Sequence, residues 1–123
     1  MQSISLFIAG GLTIMVALMH VGLPALWGWY REIGSLTKQS RRTIIDRNSF
    51  LILLLLIVAY LAFAVNEDMR TSYTGRALLL LLGIFWIMRS LWRAFGFPKS
   101  KMNVMMSVVY FLAGIFFLLA LIP

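Results

Sequence analysis

The chain has 123 residues, 62% hydrophobic and only 12% charged, with a formal net charge of +7 and no cysteine. Soluble domains are ~45 to 50% apolar, and a chain this short has too little interior to hide the excess from water. Disulfides, thiolate metal sites and cysteine nucleophiles are excluded. The cations lie beside hydrophobic spans, where orientation in a membrane and anionic lipid account for them, so nucleic acid is not an expected partner.

The charges fall in three short segments and leave four long runs almost free of them. A crossing needs roughly 20 apolar residues, so one integral membrane domain, 1–123, accounts for nearly the whole chain. The expected fold is an all-α membrane protein, a four-transmembrane-helix antiparallel bundle with spans at about 3–29, 46–65, 77–95 and 102–122. No Lys or Arg precedes the first apolar run and no small-x-small cleavage site follows it, so the first span is expected to be retained.

In span one, Gly10, Thr13, Ala17, His20, Pro24 and Trp27 recur at spacings of three and four and share a helix face. Leu12, Ile14, Met15, Val16, Leu18, Met19 and Leu23 fill the other. Small and weakly polar residues mark the protein-packed side of a membrane helix, so His20 is directed inward. Pro24 has no amide hydrogen and leaves the His20 carbonyl without its partner four residues on. The span closes on Trp27, Trp29, Tyr30 and Arg31, an interfacial set.

Loop one carries Lys38, Arg41, Arg42 and Arg47 against Glu32 and Asp46, and residues 37–46 suit an interfacial helix. Span two has a small face at Ala59, Ala62 and Asn66, and its shortness calls for a start near Ile44. Loop two, 66–75, holds Glu67 and Asp68 against Arg70 and is nearly neutral. Span three presents Gly83, Ile87, Ser90 and Ala94 on one face and ends in Trp92, Arg93, Phe95, Phe97 and Pro98. Lys99 and Lys101 make loop three basic. Span four carries the stripe Asn103, Ser107, Tyr110, Gly114 and Phe117.

Nine of the eleven Lys and Arg residues fall in or beside loops one and three once Arg31, Arg89 and Arg93 are counted with them. Those loops are expected to be cytoplasmic, with both termini and loop two outside, as in a bacterial inner membrane. Trp27, Trp92, Arg41, Arg42, Lys99 and Lys101 would meet lipid headgroups.

Ionisable groups within spans are functional candidates because their placement is costly. His20 lies seven residues before Trp27, ~10 Å at helical rise, whereas Arg89 lies three before Trp92, ~4.5 Å, and can reach the headgroups. Helical angles turn Arg89 away from the small face of span three. His20, Ser90, Ser107 and Tyr110 are at similar depth and could line one pocket open to the cytoplasm, with Arg89 and Arg93 at its mouth. Such a pocket suits a lipid or a quinone-like amphiphile. The plainer reading of His20, which stands first, is a neutral ring bonded across helices.

Zinc would need more His or carboxylate ligands, haem a second axial partner, and the methionines are ordinary apolar filler. No metal and no cofactor is expected. Glu67 and Asp68 are loop neighbours, no nucleophile set or phosphate-cradling loop exists, and no residue is assigned as catalytic. In topology alone the chain resembles the small trimeric membrane glutathione-dependent enzymes. Arg42, Asp46, Arg47 and Asn48 echo the arginine-rich acidic motif of their second helix, but the spacing differs and the second acid is missing, so no site residue carries over.

The sequence therefore points to a small non-catalytic membrane protein, a homo-oligomer or an accessory subunit of a larger membrane complex, whose partners are lipids and other membrane chains. An enzyme on lipophilic substrates, with His20 and Tyr110 in acid/base roles, and a homo-oligomeric transporter or channel are the alternatives.

Overall fold

The structure is a computed structural model that describes residues 2–26 and 34–122. Five helices lie wholly within them: α1 (Gln2–Leu26), α2 (Lys38–Ala64), α3 (Asn66–Thr71), α4 (Tyr73–Gly96) and α5 (Lys101–Leu119). Helices α1, α2, α4 and α5 are each long and apolar enough to cross a membrane. No strand occurs among the described residues.

The boundaries follow from local chemistry. Thr37 Oγ1 accepts from the Ser40 amide at 3.2 Å and caps α2. From there no Gly or Pro interrupts the helix until Ala64. The separate interfacial helix expected at 37–46 is thus corrected: 38–46 are the first turns of α2. Its 27 residues extend ~40 Å, beyond a hydrocarbon layer of ~30 Å.

Loop two is likewise not a loop but the short helix α3, after which Ser72 Oγ accepts from Gly75 N at 3.0 Å and starts α4 four residues earlier than expected. Gly75 is required there, since a Cβ would lie 2.5 Å from Met69 Cα and 2.6 Å from the Asp68 carbonyl. Pro98 bars its predecessor from the helical region. Phe97 is accordingly extended (φ −124°, ψ 154°) and closes α4. Ser100 then caps α5 through the Asn103 amide at 3.1 Å.

Helix α1 packs against α2 and α5, and α4 packs against α5, whereas α2 and α4 do not pack closely. Two polar contacts tie α1 to the second span. Asn48, near the start of α2, donates to the His20 carbonyl at 3.1 Å, and Asn66, just past its end, donates to the Ser3 carbonyl at 3.4 Å. Between them Gly10 lets the backbones approach, because a Cβ there would stand 3.0 Å from Ala62 Cβ and from the Phe63 ring.

The α4–α5 contact is closer still. A Cβ on Gly114 would lie 3.0 Å from the Gly83 carbonyl and 2.8 Å from Ile87 Cγ1, and one on Gly83 would run into the Leu118 side chain. One or two turns toward the basic end, Ser90 Oγ donates to the Ser107 carbonyl at 2.7 Å while Ser107 Oγ donates to the Ser90 carbonyl at 3.0 Å. At the opposite end Arg76 donates to the carbonyls of Leu121 (2.9 Å) and Arg70 (3.2 Å), which joins the turn after α5 to α3 and α4.

Small and weakly polar residues mark most of the inward faces, although Ala94, expected on the small face of span three, is exposed beyond the α4–α5 contact. Gly10, Thr13, Ala17 and His20 are buried, as are Ala59, Ala62 and Asn66, Gly83 and Ser90, and Tyr110, Gly114 and Phe117. Val16, assigned to the outward face, is also buried, which corrects that assignment. Helix α1 has neighbours on two sides, so its covered arc is wider than the stripe alone. The inward placement of Pro24 and Trp27 and the interfacial set Trp27, Trp29, Tyr30 and Arg31 lie outside the described residues. Only 17% of the most apolar stretch of α2 is buried within the protein. Outward Phe50, Tyr60, Leu81 and Met88 would each cost ~1.5 to 3 kcal/mol in water, so these faces suit lipid.

Candidate functional site

The end of α1, the start of α2, the end of α4 and the start of α5 come together around a cavity of about 1040 Å³. That is at the top of the ~300 to 1,000 Å³ range usual for ligand pockets. Among the described residues, α1 contributes His20 and α2 contributes Ile44, Arg47, Asn48 and Leu51. Helix α4 and the turn after it give Arg89, Arg93, Phe97 and Pro98, and α5 gives Met102, Asn103, Met106 and Tyr110.

His20 is only 5% exposed. Its Nδ1 lies 2.8 Å from the Val16 carbonyl. A carbonyl only accepts, so Nδ1 carries the hydrogen and, in the neutral ring, Nε2 is an acceptor for some other group. Among the described residues no protein atom fills that role. Pro24 frees the His20 carbonyl, and the Asn48 amide takes its place as donor. Asn48 therefore fixes the backbone at His20 while His20's own ring hangs from the turn before.

Tyr110 is 1% exposed, packs on Trp86 with ring centroids 5.4 Å apart, and keeps its hydroxyl enclosed with no hydrogen-bond partner among the described residues. Over its ring stands the Arg89 guanidinium, Cζ to centroid 5.3 Å. This corrects the expected direction of Arg89. One residue along a helix is ~100° of rotation, so Arg89 is on the flank next to Ser90, and that flank faces the cavity because α2 and α4 stand apart.

Arg93 is half-buried with Nη2 donating to Met106 Sδ at 3.3 Å and Cζ 4.5 Å from the Phe97 centroid. Its Nε is enclosed and has no partner among the described residues. Thioether sulfur is a weak acceptor and an aromatic face a partial one, so most of this guanidinium's hydrogen-bonding capacity is unspent. The described lining holds three guanidinium groups and no carboxylate.

Of the residues proposed from sequence for one pocket, His20, Tyr110, Arg89 and Arg93 border the same cavity. Ser90 and Ser107 do not, and this too is a correction: they are occupied with each other across the α4–α5 contact. Trp92 is 70% exposed, and Arg41, Arg42, Lys99 and Lys101 are exposed, Lys99 and Lys101 beside the shallow groove at the start of α5. Trp27 lies outside the described residues.

Sequence reasoning missed Asn48, Arg47 and Leu51 as cavity residues. The freed carbonyl at His20 was the signal for Asn48, since it requires a donor from another helix at that depth.

Among the described residues no three His, Asp or Glu side chains gather as metal ligands would. In comparisons with protein-family models, curated proteins and solved structures, nothing matches this chain. The functional reading rests on the site's own chemistry.

Proposed function

We propose that the chain is a small non-catalytic integral membrane protein of a bacterial inner membrane, whose cavity around His20 binds a lipid or quinone-like amphiphile in the cytoplasmic leaflet. The observation that carries this is the cavity itself: a buried imidazole, an enclosed tyrosine hydroxyl, the half-buried Arg89 and Arg93, the exposed Arg47 and two asparagines, set among apolar side chains. A few convergent polar groups in an apolar recess are what a site for an amphiphile requires. In this reading the spans form an antiparallel bundle, which the opposite order of the Asn48–His20 and Asn66–Ser3 contacts supports. The cavity is at the end that bears most of the cations, so the positive-inside rule puts it on the cytoplasmic side, with both termini outside. The broad apolar faces of α2 and α4 suit a homo-oligomer or an accessory subunit within a larger membrane complex.

Photo-crosslinking tests the binding. In protein purified into detergent, which strips loosely held lipid, a photoreactive residue at Met102, on the cavity wall, should yield a small amphiphile adduct in mass spectrometry, and one at Tyr60, on the outward face of α2, should not. Equal adduct yields at the two positions would refute the reading. Because the chain has no cysteine, single cysteines at Ser100 and Ser72 report sidedness. The first should react with an impermeant maleimide only in inside-out vesicles and the second only in right-side-out ones.

A second reading, a membrane enzyme on a lipophilic substrate, draws on the His20 imidazole and on the Tyr110 hydroxyl, unpartnered among the described residues, at one cavity. It requires the captured amphiphile to be recovered chemically altered from wild type and unaltered from His20→Gln.

A further inference from the structure

Resting on the reading of the cavity as an amphiphile site, we propose that its ligand is a phospholipid of net negative charge, with the headgroup phosphate on Arg47, Arg89 and Arg93 and an acyl chain in the groove between α2 and α4.

The headgroup assignment follows from unspent donors. A guanidinium offers five N–H groups in a planar fork that matches two phosphate oxygens at once. Arg93 gives one N–H, from Nη2, to a thioether, stands over an aromatic ring, and among the described residues leaves Nε enclosed and unpartnered. Arg89 is placed over the Tyr110 ring, and the enclosed Tyr110 hydroxyl is a further donor without an acceptor among the described residues. Three cations with no carboxylate in the described lining leave a net positive recess that an anion would neutralise. A quinone carbonyl supplies acceptors but no charge, and would leave those cations uncompensated.

The chain assignment follows from a continuous apolar path. Leu51 borders the polar cavity and also an apolar groove of about 220 Å³ formed with Leu54, Leu55 and Val58 on α2 and Leu82, Phe85 and Trp86 on α4. From Arg89 to Leu82 the groove runs about 10 Å along α4 at helical rise. Trp92, 70% exposed, is three residues beyond Arg89 and fits the headgroup boundary, so a phosphate on Arg89 and Arg93 would be at the depth of its neighbours in the leaflet. An acyl chain from that phosphate enters the groove without leaving the membrane.

The test uses the full chain in a non-ionic detergent, with native mass spectrometry after exchange against phosphatidylglycerol, phosphatidylcholine, a short-chain benzoquinone or inorganic phosphate. One phosphatidylglycerol should be retained at least ~10-fold over phosphatidylcholine, and R89Q and R93Q should each reduce that retention ~10-fold or more, the usual weight of a charge-assisted hydrogen bond. L82W, which fills the groove, should lower retention with the arginines intact, and circular dichroism shows whether each variant is folded. The quadruple variant R41Q/R42Q/K99Q/K101Q should lose only salt-sensitive binding and keep the single retained lipid.

Loss of that lipid in the quadruple variant, or equal retention of the two lipids, would overturn the proposal. Displacement by inorganic phosphate as readily as by short-chain phosphatidylglycerol would overturn the lipid source. Retention of the quinone in preference to phosphatidylglycerol would overturn the phosphate and leave the amphiphile site standing. Retention of no amphiphile at all would remove both.

Discussion

Asn48 and Pro24 should be energetically coupled although one is on α2 and the other on α1. Pro24 has no amide to offer the His20 carbonyl, and Asn48 Nδ2 reaches that oxygen at 3.1 Å instead. Asn48→Ala removes the donor. A buried acceptor left unsatisfied costs ~1 to 3 kcal/mol, but this contact borders a cavity large enough to admit water, and hydrogen bonds between membrane helices average ~0.6 kcal/mol. The expected loss is therefore near the low end, about 1 kcal/mol. In a Pro24→Ala background the restored amide closes the helical bond to His20, and Asn48→Ala should then cost under ~0.3 kcal/mol, within the additivity error of independent sites. Unfolding of wild type, the two single variants and the double variant in mixed micelles with increasing dodecyl sulfate, followed by far-ultraviolet circular dichroism, gives the cycle. An Asn48→Ala cost that is the same whether Pro24 is kept or replaced by alanine would refute the reasoning.

Two further outcomes bear on the α4–α5 contact. Gly114→Ala should destabilise by ~1 to 3 kcal/mol in the same titration, because its Cβ meets the Gly83 carbonyl at 3.0 Å and Ile87 Cγ1 at 2.8 Å. Gly11→Ala, with nothing within 4 Å of the added atom, should be neutral or stabilise by up to ~1 kcal/mol from helix propensity. Ser90→Ala should cost ~0.6 to 2 kcal/mol by breaking the reciprocal bonds to Ser107, with amphiphile retention unchanged, since neither serine borders the cavity. A Ser90→Ala variant of normal stability that loses the lipid would return both serines to the site.

The spans were legible because each is an apolar run between charges, a signal that needs no knowledge of neighbours. What failed was local. The turn after span two reads as a loop from its charges, yet Asn66 caps back onto the Ala62 carbonyl and holds Arg70 at 2.7 Å, so the chain stays helical. His20, Tyr110 and Arg93 were found from depth and spacing, which a single helix fixes. Which of Ser90 and Arg89 meets the cavity depends on where α2 stands, and no periodicity within α4 encodes that. The serines looked like pocket residues because a small polar face marks any close helix contact, whether it lines a cavity or closes one. Asn48 was hidden for the opposite reason: it reads as an ordinary loop-end polar residue until the carbonyl it serves, on another helix, is considered.

Under the proposed orientation the cations at this end of the molecule serve two separable purposes. Orientation depends on the number of positive charges near the membrane and is indifferent to their shape, so Lys38, Arg41, Arg42, Lys99 and Lys101 suffice for it from outside the cavity. A phosphate site depends on shape: a guanidinium presents parallel donors and stacks on aromatic faces, whereas an ammonium is a compact, strongly hydrated point charge. Arg89 stands over the Tyr110 ring and Arg93 over the Phe97 ring, positions from which a planar guanidinium can stack and an ammonium cannot. Replacing both by lysine conserves every charge and hence the sidedness of single cysteines, but should weaken lipid retention ~10-fold or more if bidentate contacts carry it. Were retention unchanged in that double variant, the cavity's cations would be acting as charge alone, and the fork geometry would have no part in recognition.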